Sequence, residues 1–176
     1  MKHKTANSAL ILTSSLALLS LTISGCSAAG YEIPSEICGR KIDPSSLEPL
    51  LPSGAEFEAE HTIDDDLESA CHIFVDKADT LAISELRNQN RFDVMEFVMA
   101  DARLFKNPRK SAVGDDTVTS DDWLISMNAC TGHGKMDYYV VDVTLATKAG
   151  EETSRHLEQF IRSYLPEGMK KMGCTE

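Results

Sequence analysis

The sequence predicts an α+β domain in which an antiparallel sheet of about five strands is packed by two main helices. The first observation is that apolar and polar residues alternate in several short runs, as in strands with one face toward a core. The second is that two longer segments change to helical spacing. The third is that five cysteines occur in 176 residues, which suits a disulfide-bonded domain.

The first half of the chain predicts one short helix and three strands. Asp43 is a suitable N-cap, Pro44 suits the first turn, and three leucines form one face, namely Leu47, Leu50 and Leu51. Alternation predicts strands over residues 57–63, 69–75 and 80–86, with acidic turns between them.

The second half predicts a helix, a hairpin and a second helix. Helical spacing covers residues 92–105, and residues 107–116 have the composition of a loop. The strongest hairpin follows, with strands over residues 122–130 and 138–147. Residues 151–165 predict the best helix, and Pro166 is expected to interrupt it before a last turn.

The two halves share an order of acidic turn, cysteine-bearing strand, second strand and helix. This order suits a weak internal duplication, although chance similarity explains it equally well. With Cys26 set aside, four cysteines allow three pairings. If each half closes locally, Cys38 pairs with Cys71 and Cys130 pairs with Cys174, and each bridge stabilises the fold by roughly 3–4 kcal/mol.

The N-terminal residues have the features of an export signal. Lys2 and Lys4 give it a positive start, and residues 9–23 are uncharged and apolar but short for a membrane span. The block Ile23-Ser24-Gly25-Cys26 resembles the lipobox of bacterial lipoproteins, in which the cysteine receives a diacylglycerol and the leader is cut before it. An ordinary secretory signal ending by chance at a cysteine is the alternative.

The lipobox resemblance implies a division of the chain into three parts. Residues 1–25 are then a signal peptide, residues 26–37 a lipidated tether and residues 38–176 a single domain, held at the extracytoplasmic face of the cell membrane. With Cys38-Gly39 and Gly173-Cys174, this layout resembles small secreted lipoproteins of actinobacteria, including sensor-like ones. The resemblance implies location and fold class, and it transfers no active site.

The charge of the chain restricts its partners. The formal net charge is −11, and both leader lysines are lost if the leader is removed. Nucleic acid and anionic lipid headgroups need a basic face, so we expect neither as a partner. The acidic surface suits a basic partner, or it is simply a solvated surface.

We expect no metal and no cofactor. Cys130 and His133 have a ligand-like spacing, but no second such pair occurs. The acidic runs at residues 64–66 and 115–122 do not follow the calcium-loop pattern. His61 and His72 lie on neighbouring predicted strands, where they form either a pH-sensitive or metal-binding pair or two half-buried structural histidines.

Three functions remain for the domain. Our first expectation is a non-enzymatic domain that binds a small ligand or an envelope protein, in a cleft floored by Trp123, Tyr138 and Tyr139, although aromatic residues on a sheet are more often core. The second is an envelope hydrolase that acts through His72 and Asp142. The third is a structural spacer with one broad apolar surface patch. We prefer a non-enzymatic role and assign no catalytic residue.

Overall fold

The computed structural model describes residues 30–101, 105–131, 136–146 and 150–174. The predicted signal peptide and Cys26 lie outside these residues, as does His133. The described chain has mixed helix and strand content, with three α-helices and one large antiparallel sheet.

The sheet has seven strands in the order β3-β4-β5-β9-β8-β7-β6, and β1 and β2 form a separate hairpin. The strands are β1 (Glu36–Ile37), β2 (Arg40–Lys41), β3 (Phe57–Asp64), β4 (Glu68–Val75), β5 (Ala78–Gln89), β6 (Arg109–Ser111), β7 (Asp116–Thr119), β8 (Trp123–Thr131) and β9 (Met136–Leu145). The helices are α1 (Pro44–Leu47), followed by a 3-10 helix (Glu48–Leu50), α2 (Val94–Ala100) and α3 (Glu151–Lys171).

The sheet is larger than the predicted five strands because β6 and β7 fall in segments where no strand was expected. Each has only three or four residues, too few for alternation to be visible. β7 is buried on both faces, and the face opposite Val118 is polar, since the Thr117 hydroxyl donates to the carbonyl oxygen of Val113 and lies 2.6 Å from Ser126 Oγ. Hydroxyl groups thus occupy buried positions where a strand usually has apolar residues, and the alternating pattern that predicts a strand is missing.

The helices differ from their predicted lengths in opposite directions. The α2 helix ends at Ala100, and Phe105 packs on Trp123 from the following loop, with ring centroids 4.3 Å apart. The α3 helix continues through Pro166 to Lys171, so the predicted interruption is wrong. Buried positions on both sides of the proline, Tyr164 and Gly168, hold the helix on the sheet at the cost of one backbone hydrogen bond.

The helices α2 and α3 lie on opposite faces of the sheet. One core contains the α3 residues Leu157, Phe160 and Ile161 with the inward residues of β4, β5 and β9, and the other contains Val94 and Val98 of α2. A two-fold repeat about the antiparallel β5–β9 pair would place both helices on one face. The structure therefore gives no support to the duplication.

Two disulfides close the ends of the fold. Cys38 is bonded to Cys71 and Cys130 is bonded to Cys174, which is the pairing expected if each half closes locally. The first ties the β1–β2 hairpin to β4, and the second ties β8 to the segment after α3. Tyr31 and Ile37 are buried, so the packed domain begins before Cys38.

Candidate functional site: a half-covered sheet face

The face of the sheet that carries α2 is covered only in part. Over β7, β8 and β9, five side chains are buried beneath the helix, namely Val118, Trp123, Ile125, Met127 and Val140. Over β3, β4 and β5, no side chain of the same face is fully buried apart from the bulge residue Thr80. We call this part of the sheet surface, over β3, β4 and β5, the open face. Its residues are Glu58, Glu60, Ala70, His72, Phe74, Ala82 and Ser84.

The open face follows from short alternating strands next to a short helix. Residues of β4 alternate between the buried set Cys71, Ile73 and Val75 and a partly exposed set on the other side. The seven residues of α2 span only about 10 Å, which is enough to cover two or three of the seven strands. The remaining strands keep one face without a helix over it in the described structure.

A histidine, an aspartate and an aromatic ring meet on the open face. His72 Nδ1 lies 3.0 Å from Asp79 Oδ2, and the His72 ring stacks on Phe74 with centroids 6.2 Å apart. Among the described residues, the hydrogen-bond partner of the His72 ring is the Asp79 carboxylate, and no hydroxyl group hydrogen-bonds to it. Strand pairing sets His72 opposite Ala82 and Asp142 opposite Ser84, so the two residues named for the hydrolase alternative are not brought together.

Asp142 lies on the same sheet face, between Ser84 of β5 and Ile125 of β8. It is largely buried, and that desolvation raises its pKa to about 6. No described residue donates a hydrogen bond to its side chain or forms a salt bridge with it. Asp142 is thus a carboxylate whose charge the described residues leave uncompensated.

The opposite face contains a charged layer beneath α3. Arg40 Nη2 lies 2.5 Å from Glu85 Oε2, and the Tyr139 hydroxyl donates to Glu85 Oε1 over 2.7 Å. Burial raises the pKa of both Tyr139 and Tyr164 well above the usual value, so both stay protonated. An added Cβ at Gly168 would lie 2.5 Å from the Tyr139 hydroxyl oxygen, so only glycine allows α3 this close.

This charged layer has a structural role. Arg40, Glu85 and Tyr139 are each no more than 1% exposed, so no substrate reaches them. Arg40 Nη1 also donates to the carbonyl oxygen of Cys38 over 2.8 Å. The layer therefore docks the β1–β2 hairpin and α3 onto the sheet, beside the Cys38–Cys71 bridge.

The expected aromatic cleft does not form. Trp123 and Tyr138 pack on the side of α2, whereas Tyr139 is buried on the side of α3. Adjacent residues of a strand point to opposite faces, so Tyr138 and Tyr139 cannot line one pocket. Trp123 is 8% exposed and belongs to the smaller core.

Of the two alternatives for His61 and His72, the pH-sensitive or metal-binding pair does not form. His61 is opposite Cys71 and His72 is opposite Glu60, so the two rings lie on different faces. His61 Nε2 instead lies 3.4 Å from Arg40 Nη1, at the rim of the charged layer.

In the part of the chain that the structure describes, no three potential ligands come together as a metal site. The acidic turns serve the backbone, since Asp65 accepts hydrogen bonds from two amides, those of Leu67 and Glu68.

Comparison of the chain with protein-family models, with curated proteins and with solved structures finds no match in any of the three. None of the described helices combines the length and the apolar character that a helix needs to cross a bilayer. Fold and site define the chain as a small α+β domain with two disulfides and one half-covered sheet face.

Proposed function

We propose that this protein is a lipid-anchored domain on the extracytoplasmic face of the cell membrane, and that it binds a partner protein through the open face. The block ending at Cys26 supports the anchor, and the two disulfides support an oxidising compartment. The observation that supports the binding role is that α2 covers one face of β7, β8 and β9 but leaves the same face of β3, β4 and β5 without a helix over it.

The shape of the surface favours a protein over a small ligand. Small molecules bind in concave sites that enclose most of their surface. Of the described residues, Asp43, Ser46 and Arg162 line a shallow depression between α1 and α3, and its walls are polar and open. The open face is a broad, gently twisted surface of two to three strands, which suits a macromolecule.

The membrane anchor can be tested by the intact mass of the protein extracted from membranes. We expect acyl groups on Cys26 of the wild-type chain and none on a Cys26→Ala variant, whose substitution lies outside the described residues. A wild-type protein whose intact mass shows no acyl groups would contradict the proposal of a lipid anchor.

The binding role can be tested by a photo-reactive benzoylphenylalanine placed at one of two sites, one partly exposed and one exposed. In place of Phe74 it lies on the open face, and in place of Arg155 it lies on the outer surface of α3 as the matched control. After irradiation of intact cells, we expect the variant with the probe at position 74 to form a crosslinked product with one partner protein of defined mass. We expect no crosslinked product from the variant with the probe at position 155. Equal labelling of both positions, or no adduct at either, would contradict binding through the open face.

A further inference from the structure

We infer that the partner presents an extended basic segment, which pairs with β3 as an additional strand of the sheet. This inference rests on the proposed function and specifies the chemistry of the partner. Two independent features of β3 lead to it, the unpaired groups of its backbone and the uncompensated charges of its side chains.

The backbone of β3 leaves alternate groups unpaired. Among the described strands, β3 lies at one edge of the sheet and pairs with β4 alone, and the Asp76 amide donates to the Glu56 carbonyl over 3.0 Å. Bonded and non-bonded residues alternate in an antiparallel pair, so Glu58 and Glu60 also turn their backbone groups toward β4. The residues whose N–H and C=O groups point outward are Phe57, Ala59 and His61.

No described residue forms a hydrogen bond with these outward groups. Proteins usually protect such an edge, and here a register shift between His61 and Ile63 distorts the second half of the strand. The first half, residues 57–60, keeps a regular register and remains available for pairing. An added strand would satisfy its backbone groups as in known cases of strand addition.

The side chains of this half select the kind of strand that can pair. Glu58 and Glu60 are exposed on the open face, and neither forms a salt bridge with a described residue. Charges of opposite sign in directly opposed positions stabilise a strand pair, and like charges destabilise it. A second copy of β3 would bring carboxylates together, whereas lysine or arginine at alternate positions would be attracted. The edge therefore disfavours self-pairing and favours a basic partner.

A short synthetic peptide tests the inference with the purified, oxidised full chain. The probe is a labelled Thr-Lys-Val-Lys-Val-Lys-Thr peptide, followed by fluorescence anisotropy. We expect the same peptide with glutamate in place of lysine to bind at least about tenfold more weakly, since the attractive pairs with Glu58 and Glu60 become repulsive. Methylation of alternate backbone nitrogens should abolish binding, because these nitrogens would donate to β3.

Amide hydrogen exchange locates the peptide on the strand. Peptide binding should slow exchange at Phe57, Ala59 and His61 while leaving Glu58 and Glu60 unchanged, because the last two amides are already bonded to β4. Uniform protection of all five amides, or equal binding of the methylated peptide, would overturn strand addition.

Two variants separate strand addition from the proposed function. Ala59→Pro removes an outward N–H that β4 does not use, a position where an edge strand tolerates proline, and Ala59→Val keeps the N–H as the control. We expect only the proline variant to lose peptide binding, by roughly tenfold or more. Should it fail to fold, the paired changes Glu58→Lys and Glu60→Lys must instead reverse the preference between basic and acidic peptides. A cellular adduct at position 74 that persists in Ala59→Pro would refute strand addition and leave the binding role intact.

Discussion

Glu85 and Asp142 lie on neighbouring strands and turn to opposite faces of one sheet, yet their surroundings differ. Glu85 is 1% exposed and is held by Arg40 and by the hydroxyl of Tyr139. Asp142 is also largely buried, but desolvation raises its pKa to about 6 and no described residue pairs with it. Within the described residues, one face of the sheet thus compensates its buried acid and the other does not.

This difference indicates which face is complete as a structure. Beneath α3, apolar packing, a paired charge and a bridge from Cys38 to Cys71 converge on the same elements. On the other face α2 covers half of the strands and leaves a carboxylate, a histidine and an edge strand exposed or unpaired. Functional surfaces are often where local rules of stability are not satisfied. The comparison therefore favours the second face as the site of interaction.

The largest effect should come from breaking the compensated pair. Arg40→Ala leaves Glu85 charged and buried, so we expect it to lower the free energy of unfolding by about 3–5 kcal/mol. Urea denaturation followed by circular dichroism measures the change. Lys41→Ala, one residue further along the same hairpin and exposed, serves as the control and should change stability by less than about 0.5 kcal/mol.

A second variant distinguishes the ion pair from simple loss of side-chain volume. Combining Arg40→Met with Glu85→Leu removes both charges and keeps the apolar volume, so it should recover much of the lost stability. If the double variant is no more stable than Arg40→Ala, the pairing of charges is not what this layer contributes.

The sequence allowed the apolar part of the α3 face to be predicted but not its charged layer. Leu157, Phe160 and Ile161 recur with helical spacing, and all are buried as that spacing predicts. Arg40 gives no comparable signal, because its partner Glu85 is distant in the chain and only tertiary packing brings them together. A single arginine or glutamate in a sequence is most simply interpreted as solvated.

The open face was not predictable for a different reason. Its extent depends on α2 ending at Ala100 and on β6 and β7 enlarging the sheet, and both features fall in short segments with weak periodicity. The sequence is sufficient to exclude a cleft lined by both Tyr138 and Tyr139, because adjacent residues of a strand point to opposite faces. The alternation of side chains along a strand can thus be predicted from the sequence. The area of a sheet that a helix covers depends on where elements begin and end, which sequence patterns define poorly.

A smaller effect should follow from adding one methyl group to α3. Gly168→Ala improves helix propensity, but the new Cβ lies 2.5 Å from the Tyr139 hydroxyl oxygen and 2.8 Å from Glu85 Oε1. We expect a net loss of about 1–3 kcal/mol, because the helix must shift away from the charged layer. Combining it with Tyr139→Phe removes the nearer atom, so the two losses should be less than additive. Strict additivity in denaturant unfolding would show that the helix does not rest on this hydroxyl.

The smallest effect, and the only gain, is expected on the second face. The native pKa of Asp142, about 6, exceeds that of an aspartate in the unfolded chain, about 4. Between these values the native state binds more protons than the unfolded state, so stability is lost as the pH rises through this window. Asp142→Asn removes that loss, and we expect the variant to exceed the wild type by about 1–2 kcal/mol at pH 7.

The pH dependence of the difference decides its cause. Denaturant unfolding from pH 4 to pH 8 should show the two proteins converging as the pH falls toward 4, where the native carboxyl group is protonated and that of the unfolded chain is about half protonated. A gain that stays constant over this range would come from packing or hydrogen bonding of the amide and not from the removed charge. In that case Asp142 would no longer be an uncompensated charge, and the two faces of the sheet would differ only in how far helices cover them.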